Sequence, residues 1–136
     1  SQKKWIKKNI NYNDIHILLK LNNKTIGYTM LRILKLNNFK KNKKIIYFDT
    51  HIIEKKMRGK NISSYLMNEA IKQIKLKKAL AILRCKKNLE KYYINYKWKN
   101  VSKYIKFKDR KKLISMIYPV SKFKKEDFSN FNFEFK

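Results

Sequence analysis

The sequence predicts a mixed α/β (α+β) domain built in the order β-β-β-α-β-α-β-β. Three observations carry this expectation. Short runs of β-branched and aromatic residues recur along the chain. One stretch, 61–77, instead repeats apolar residues every three and four positions. The 136 residues, 43% of them hydrophobic, fit a single domain over 1–136 with a real core. A chain of this size buries roughly two-thirds of its unfolded surface, so it needs no disulfide or metal staple. Internal repeats and heptads are absent from the sequence.

Residues 1–14 are polar and weakly patterned, with Trp5-Ile6 as the start of an edge strand. Ile15 to Leu21 is a first strand, rich in branched apolar residues. Asn22-Asn23-Lys24 is a turn, because asparagine tolerates a left-handed backbone. Thr25 to Leu36, interrupted by Gly27, returns as the second strand of a hairpin, and 37–44 is a charged loop. Ile45 to Ile53 is a third strand. Strict alternation would place Ile46, Phe48, Thr50 and Ile52 on one face and Ile45, Tyr47, Asp49, His51 and Ile53 on the other. Residues 54–60 form a basic connection. In 61–77, Ile62, Leu66, Met67, Ala70, Ile71 and Ile74 make one helical stripe. Ala79 to Cys85 is a short buried strand, and Asn88 to about Asn95 a short helix. Trp98 to Phe107 and Lys112 to Tyr118 are two closing strands around a basic turn at 108–111. The core then spans about 15–118, and 119–136 is a polar tail carrying several Phe.

The chain carries 36 Lys+Arg against 9 Asp+Glu, a formal charge of +27. One reading is a polyanion partner such as nucleic acid. The other is a compositional bias toward Lys, Asn and Ile. Only Arg32, Arg58, Arg84 and Arg110 are arginines. Specific nucleic-acid readers lean on the planar guanidinium, so nucleic acid is not the favoured partner. Such a charge attracts anionic ligands in either case. Cys85, the one cysteine, excludes an internal disulfide, and with His16 and His51 it makes no metal-ligand spacing, so no metal is expected. No apolar run approaches the roughly 20 residues of a membrane span, and no signal-peptide pattern is visible. A soluble, cytoplasmic protein without a membrane partner is the expectation.

The stretch that carries chemistry joins the third strand to the long helix. A helix start presents backbone N–H groups without intrahelical partners, and its dipole adds partial positive charge. It is therefore suited to phosphate. Arg58 and Lys60 add formal charge, Gly59 lets the backbone bend, and Ser63 and Ser64 bring hydroxyl donors to the first turn. These features are also compatible with an ordinary strand–loop–helix in a lysine-rich protein.

Arg58-Gly59-Lys60-Asn61-Ile62-Ser63, followed by Ser64-Tyr65-Leu66-Met67, resembles the acyl-CoA pyrophosphate loop of the GCN5-related N-acetyltransferase (GNAT) family. Asn61 and Ser63 stand where that pattern has Gly, and Gly or Ala. A second stretch resembles the family too: Asn88-Leu89-Glu90-Lys91-Tyr92-Tyr93-Ile94-Asn95-Tyr96-Lys97-Trp98. Tyr93 falls on the family tyrosine, Trp98 on its phenylalanine, and Lys97 replaces its glycine. The two stretches lie about 30 residues apart with a strand between them, and together cover roughly 45–105.

The resemblance implies a GNAT-like mixed, mostly antiparallel sheet with flanking helices. It also implies direct acetyl transfer from acetyl-CoA to a primary amine on a small molecule or a protein, with no metal. Asn61, Ile62, Ser63, Ser64, Arg58, Gly59 and Lys60 would then hold the pyrophosphate. The backbone of Ile52 and Ile53 would meet the pantetheine arm. Asn88 is either a further contact to that arm or a helix N-cap. Tyr93 is the family-position proton donor, Tyr92 is its neighbour in register, and Asp49 and His51 are the candidate bases. Glu54 is a weaker base candidate. Cys85 is expected to be an inert core thiol, and Arg84 a solvated strand-edge residue. The family has a strand and two helices before the hairpin, which fourteen residues cannot hold. Either the acceptor side is abbreviated, or a partner subunit, as in a homodimer, completes it. The reading from another class is a basic RNA- or ribosome-binding module, in which the Lys, Tyr and Phe of 91–107 stack bases and neutralise phosphates.

Overall fold

The computed structural model describes residues 14–34, 45–59, 61–107, 111–128 and 132–133. Trp5-Ile6, the loop 37–44, Lys60 and most of the turn at 108–111 lie outside the described residues. The elements are β1 (Ile15–Leu21), β2 (Lys24–Leu34), β3 (Ile45–Ile53), α1 (Ile62–Leu76) and β4 (Leu80–Cys85). They continue with α2 (Glu90–Ile94), β5 (Lys99–Asn100), β6 (Lys106–Phe107), β7 (Ile114–Tyr118) and β8 (Asn132–Phe133). The main sheet has the order β1-β2-β3-β4-β7-β5, and β6 pairs with β8 separately. All its pairings are antiparallel except β3 with β4, which α1 connects. This is the expected mixed, mostly antiparallel sheet with flanking helices.

Each element follows from local chemistry. Asn22 and Asn23 both take positive φ, 50° and 65°, which closes the β1–β2 hairpin. The apolar stripe of α1 buries Leu66, Met67, Ala70 and Ile74 against the sheet. Gly27 of β2 lies directly under this helix. A Cβ there would stand 2.7 Å from Cδ1 of Leu66, so the missing side chain sets how closely helix and sheet approach. Two cores result. On the α1 side, Leu31, Ile46, Phe48, Met67, Leu83, Tyr93, Trp98 and Met116 pack together. On the other side, Ile45, Leu80, Ile82, Val101, Ile105, Ile117 and Phe128 form the second core. Among the described residues no helix is long and apolar enough to cross a membrane.

Two expectations need correction. Trp98 to Phe107 is not one strand: β5 ends at Asn100, and a turn follows in which Ile105 N–H bonds the Val101 carbonyl at 3.1 Å. Val101 and Ile105 are four residues apart, a turn spacing that sends both into the second core. The segment after Tyr118 also packs. Phe128 is 1% exposed and stacks on Phe123, so the packed body continues past the end of β7.

α2 ends in a Schellman motif. Trp98 N–H bonds the Tyr93 carbonyl at 3.2 Å, Lys97 N–H bonds the Ile94 carbonyl at 2.8 Å, and Lys97 sits at φ 70°. A side chain in left-handed backbone costs roughly 1–2 kcal/mol, partly offset in glycine by its greater freedom when unfolded. Lys97→Gly is therefore expected to raise stability by roughly 0.5–1 kcal/mol. A thermal melt that stays level or falls would contradict that reading of the turn.

Candidate functional site

β3 and β4 run parallel but pair only at Ile45↔Leu80, Ile46↔Ala81 and Tyr47↔Ile82. β3 continues six residues beyond that point, to Ile53, and β4 continues to Cys85. Past Tyr47 and Ile82 the two central strands have no ladder between them, and backbone N–H and C=O groups of β3 on that edge face a gap. A strand edge of this kind can take an extended ligand by backbone hydrogen bonding.

A bulge in β3 shapes the same gap. Met30 pairs with Thr50 and Leu31 with Phe48, so Asp49 is the extra residue. The bulge shifts side-chain parity along the rest of the strand, and the expected sharing of one face by Asp49 and His51 does not hold. His51 pairs with Thr29 and its ring lies against Phe48 and Tyr92, on the α1 side. Asp49 lies on the opposite face, 3.5 Å from Nη1 of Arg32, whose own register partner is Tyr47. Burial raises the Asp49 carboxyl above its usual range, and the Arg32 guanidinium opposes that rise. Burial pushes His51 down to about 4, so the imidazole is neutral at neutral pH. Its Nδ1 is 2.8 Å from Thr29 Oγ1 and its Nε2 is 3.1 Å from the Tyr92 hydroxyl.

The loop after β3 closes back on the strand. Arg58 Nε donates to the Ile53 carbonyl at 3.2 Å, so that carbonyl is already engaged. Lys24 pairs with Glu54 at 3.1 Å. Gly59 has φ 82° and Asn61 φ 57°. The left-handed turn required by the loop is thus met by Asn61 in place of glycine. Asn61 is the N-cap of α1 and makes no side-chain capping bond. The Ser64 hydroxyl donates to the Asn61 carbonyl at 2.7 Å. Ile62, Ser63 and Ser64 therefore form the first turn of a 15-residue helix without a side-chain cap, beside exposed Arg58. Lys60 lies outside the described residues.

Two tyrosines of α2 reach this region in different ways. Tyr93 is 7% exposed and packs edge-on against Phe48 and Trp98. Phe48 is the first β3 residue beyond the last pair with β4, and the Cys85 thiol, at the far end of β4, acts electrostatically on the Tyr93 phenol. The Tyr93 ring thus packs beside the point where the two strands part, in one core with Phe48 and Cys85, and burial, ahead of Cys85 and Tyr92, raises its pKa well above the usual value. Tyr92 is half-buried; its hydroxyl meets His51 Nε2, and its ring packs edge-on against Tyr93 and Tyr96. Cys85 is a buried thiol whose pKa burial lifts to about 11, as expected of an inert core cysteine.

Of the two readings of Asn88, contact to the ligand arm or helix N-cap, the second does not hold. Asn88 lies exposed inside the short 3₁₀ turn Lys87–Leu89, and Leu89 caps α2. Arg84 is not a solvated strand-edge residue. It sits in the sheet between Leu83 and Cys85, with its guanidinium 4.1 Å over the Phe107 ring. Thr29 and Arg32 belong to the site although nothing in their sequence context marks them. They become visible only through the β2–β3 register.

No family model matches the sequence, and no curated protein matches it. Solved structures do share its fold. A GNAT family acetyltransferase from Elizabethkingia anophelis, with acetyl-CoA bound, superimposes with a TM-score of 0.64 at 16% identity, over 85% of this chain and 81% of that one. The ribosomal-protein-S18-alanine N-acetyltransferase of Escherichia coli gives 0.64 at 11% identity, over 86% and 75%. The PaiA N-acetyltransferase of Thermoplasma acidophilum, in complex with coenzyme A, gives 0.59 at 16% identity, over 82% of this chain and 63% of that one. The chain spans less than two thirds of the Thermoplasma protein. At these identities the likeness establishes the fold: this chain has the GNAT fold.

Proposed function

We propose that this chain is an acetyl-CoA-dependent N-acetyltransferase acting on a primary amine. One observation carries the reading: the opening of the sheet between β3 and β4 coincides with the uncapped start of α1, and Tyr93 is packed over the opening. The residues present fit coenzyme A. The left-handed Gly59 and Asn61 curve the loop, the first-turn N–H groups and the helix dipole favour pyrophosphate, and Arg58 adds charge. The unpaired edge of β3, at Ile52 and its neighbours, suits the extended pantetheine arm.

Acetyl-CoA, when bound, supplies an activated acyl group as its thioester. Backbone N–H groups of β3 beyond Tyr47, which have no β4 partner, suit the carbonyl oxygen. Tyr93 retains its proton across the neutral range, which suits a donor to a departing thiolate. Asp49, on the opposite face of the sheet with its carboxyl raised by burial, suits removal of a proton from an ammonium, directly or through water. His51 is bonded at both nitrogens and held neutral, which suits orientation of neighbouring groups more than removal of a proton from an ammonium.

The direct test is ligand-induced stabilisation. At 100 times its dissociation constant, acetyl-CoA stabilises the folded state by about 2.7 kcal/mol, a rise of roughly 5–10 °C in a domain of this size. Arg58→Glu is expected to abolish that rise. An unchanged melting temperature of the wild type at millimolar acetyl-CoA overturns the proposal.

A further inference from the structure

α2 is five residues long, yet it carries both Tyr92 and Tyr93. An isolated helix shorter than roughly 12–15 residues is marginal in water, so tertiary contacts must hold this one. Its C-terminal end is fixed by the Schellman turn, in which Trp98 N–H bonds the Tyr93 carbonyl. Its N-terminal end is fixed by Glu90, a carboxylate that the transfer chemistry does not use.

Both oxygens of that carboxylate are engaged. Lys87 Nζ donates to Oε1 at 2.6 Å, and Nδ2 of Asn100, in β5, donates to Oε2 at 2.6 Å. Asn100 Oδ1 accepts the Ser102 N–H at 2.9 Å and the Ser102 hydroxyl at 2.6 Å. Ser102 Oγ in turn accepts the Ser115 N–H at 3.0 Å. Ser115 is buried in β7, where it pairs with Arg84 of β4. The line of bonds thus runs from the first residue of α2 across β5 to the strand beside β4.

We propose that Glu90 is a positioning residue that clips α2 to β5 and β7 through Asn100 and Ser102, and so holds the Tyr93 phenol in place for proton donation. The proposal rests on the role of Tyr93 as proton donor proposed for the transfer. Glu90 stands three residues before Tyr93, close to one helical turn, so a tilt at the helix start moves the phenol. The two halves of the clip differ. The Lys87 side chain is 75% exposed, and water competes for its bond. The Glu90 side chain is 19% exposed, and its bond to Asn100 is the part-buried half. In a chain with 36 basic residues, the inner oxygen takes a neutral amide that is itself tied into the sheet, which sets this carboxylate apart from a surface ion pair. The bonds from Lys87 and Asn100 also hold the carboxyl below its usual range, so both oxygens remain acceptors through the neutral range.

Two measurements test the clip. Amide hydrogen exchange at Asn95 and Tyr96, whose N–H groups bond the Lys91 and Tyr93 carbonyls, reports on α2 without any acceptor. Glu90→Ala is expected to speed both amides about tenfold, and Lys87→Ala to leave them within about twofold. Steady-state thiol release from acetyl-CoA is then followed with the fastest acceptor among an alkylamine, a polyamine and an amino sugar. Glu90→Ala is expected to lower kcat about tenfold while coenzyme A affinity stays within about twofold. Glu90→Gln, which keeps an oxygen for Asn100, is expected to hold kcat within about threefold of wild type. In a Tyr93→Phe background, Glu90→Ala is expected to cost no more than about twofold further, because the clip acts through the phenol. Asn100→Asp keeps the side-chain shape but turns a second carboxylate on Glu90, and it repeats both measurements should Glu90→Ala fail to fold. Unchanged exchange, or a tenfold loss that persists in the Tyr93→Phe background, overturns the clip and leaves the coenzyme site standing. A Tyr93→Phe enzyme of wild-type kcat overturns the role of Tyr93 and the clip with it.

Discussion

Replacing Tyr93 by Phe is expected to lower kcat by about 10²–10³-fold, the usual worth of a positioned general acid, while the dissociation constant for coenzyme A stays within about twofold. The argument begins with packing. The ring is wedged edge-on between Phe48 and Trp98, and removing one oxygen leaves those contacts in place. What is lost is the hydroxyl proposed as the proton donor. Burial keeps that phenol protonated above its ordinary pKa near 10, so the wild-type rate should show no loss from phenol ionisation up to about pH 10. Steady-state kinetics with an amine acceptor, read as thiol release, give kcat and the Michaelis constants separately. Tyr92→Phe is the control one position away. The Tyr92 hydroxyl is engaged with His51 Nε2, so kcat of this variant is expected to change far less than that of Tyr93→Phe. A Tyr93→Phe enzyme that keeps kcat within about threefold of wild type would remove Tyr93 from the chemistry.

Much of this arrangement was readable from residue patterns, and the exceptions have physical causes. The stripe Leu66, Met67, Ala70, Ile74 shows its period within one helix, so the sequence suffices to locate both α1 and its buried face. The basic loop before it is marked by composition. Asn61 and Lys97 stand where the GNAT pattern has glycine, and both adopt the left-handed backbone such positions need, so the geometry persisted although the residue changed. The bulge at Asp49 had no comparable signal. β3 is apolar at residues of both parities, Ile45, Ile46, Phe48, Ile52 and Ile53, so alternation within it cannot reveal an inserted residue. Only the register against β2 does, and that register separates Asp49 from His51. Thr29 and Tyr92, which meet the two nitrogens of His51, lie far apart in sequence and come together on that ring only after the sheet and α2 have formed, so local patterning carries no trace of them.

Phe128→Ala is expected to destabilise the fold by about 3–5 kcal/mol, a large share of the 5–15 kcal/mol typical of a domain. In sequence Phe128 is one of several Phe scattered among Lys, Glu, Asp, Ser and Asn, with no helical or strand stripe to mark it as core, and so it read as part of a polar tail. In the fold it is 1% exposed and stacks on Phe123 with ring centroids 5.5 Å apart. It also joins Ile45, Leu80, Ile82, Val101, Ile105 and Ile117 in the second core. The strand residues among them, Ile45, Leu80, Ile82 and Ile117, are interior to the sheet and cannot collapse into the vacated space, so the cavity cost adds to the lost transfer energy. Urea unfolding gives the measurement: a lower midpoint with an unchanged slope indicates the loss of packing alone. Phe123→Ala removes a half-buried ring from the rim of the same core and is expected to cost less than half as much. The second core lies on the face opposite α1, so Phe128→Ala protein that remains folded should bind coenzyme A with nearly wild-type affinity. A midpoint shift equivalent to less than about 1 kcal/mol would mean that the segment after Tyr118 contributes little to the core.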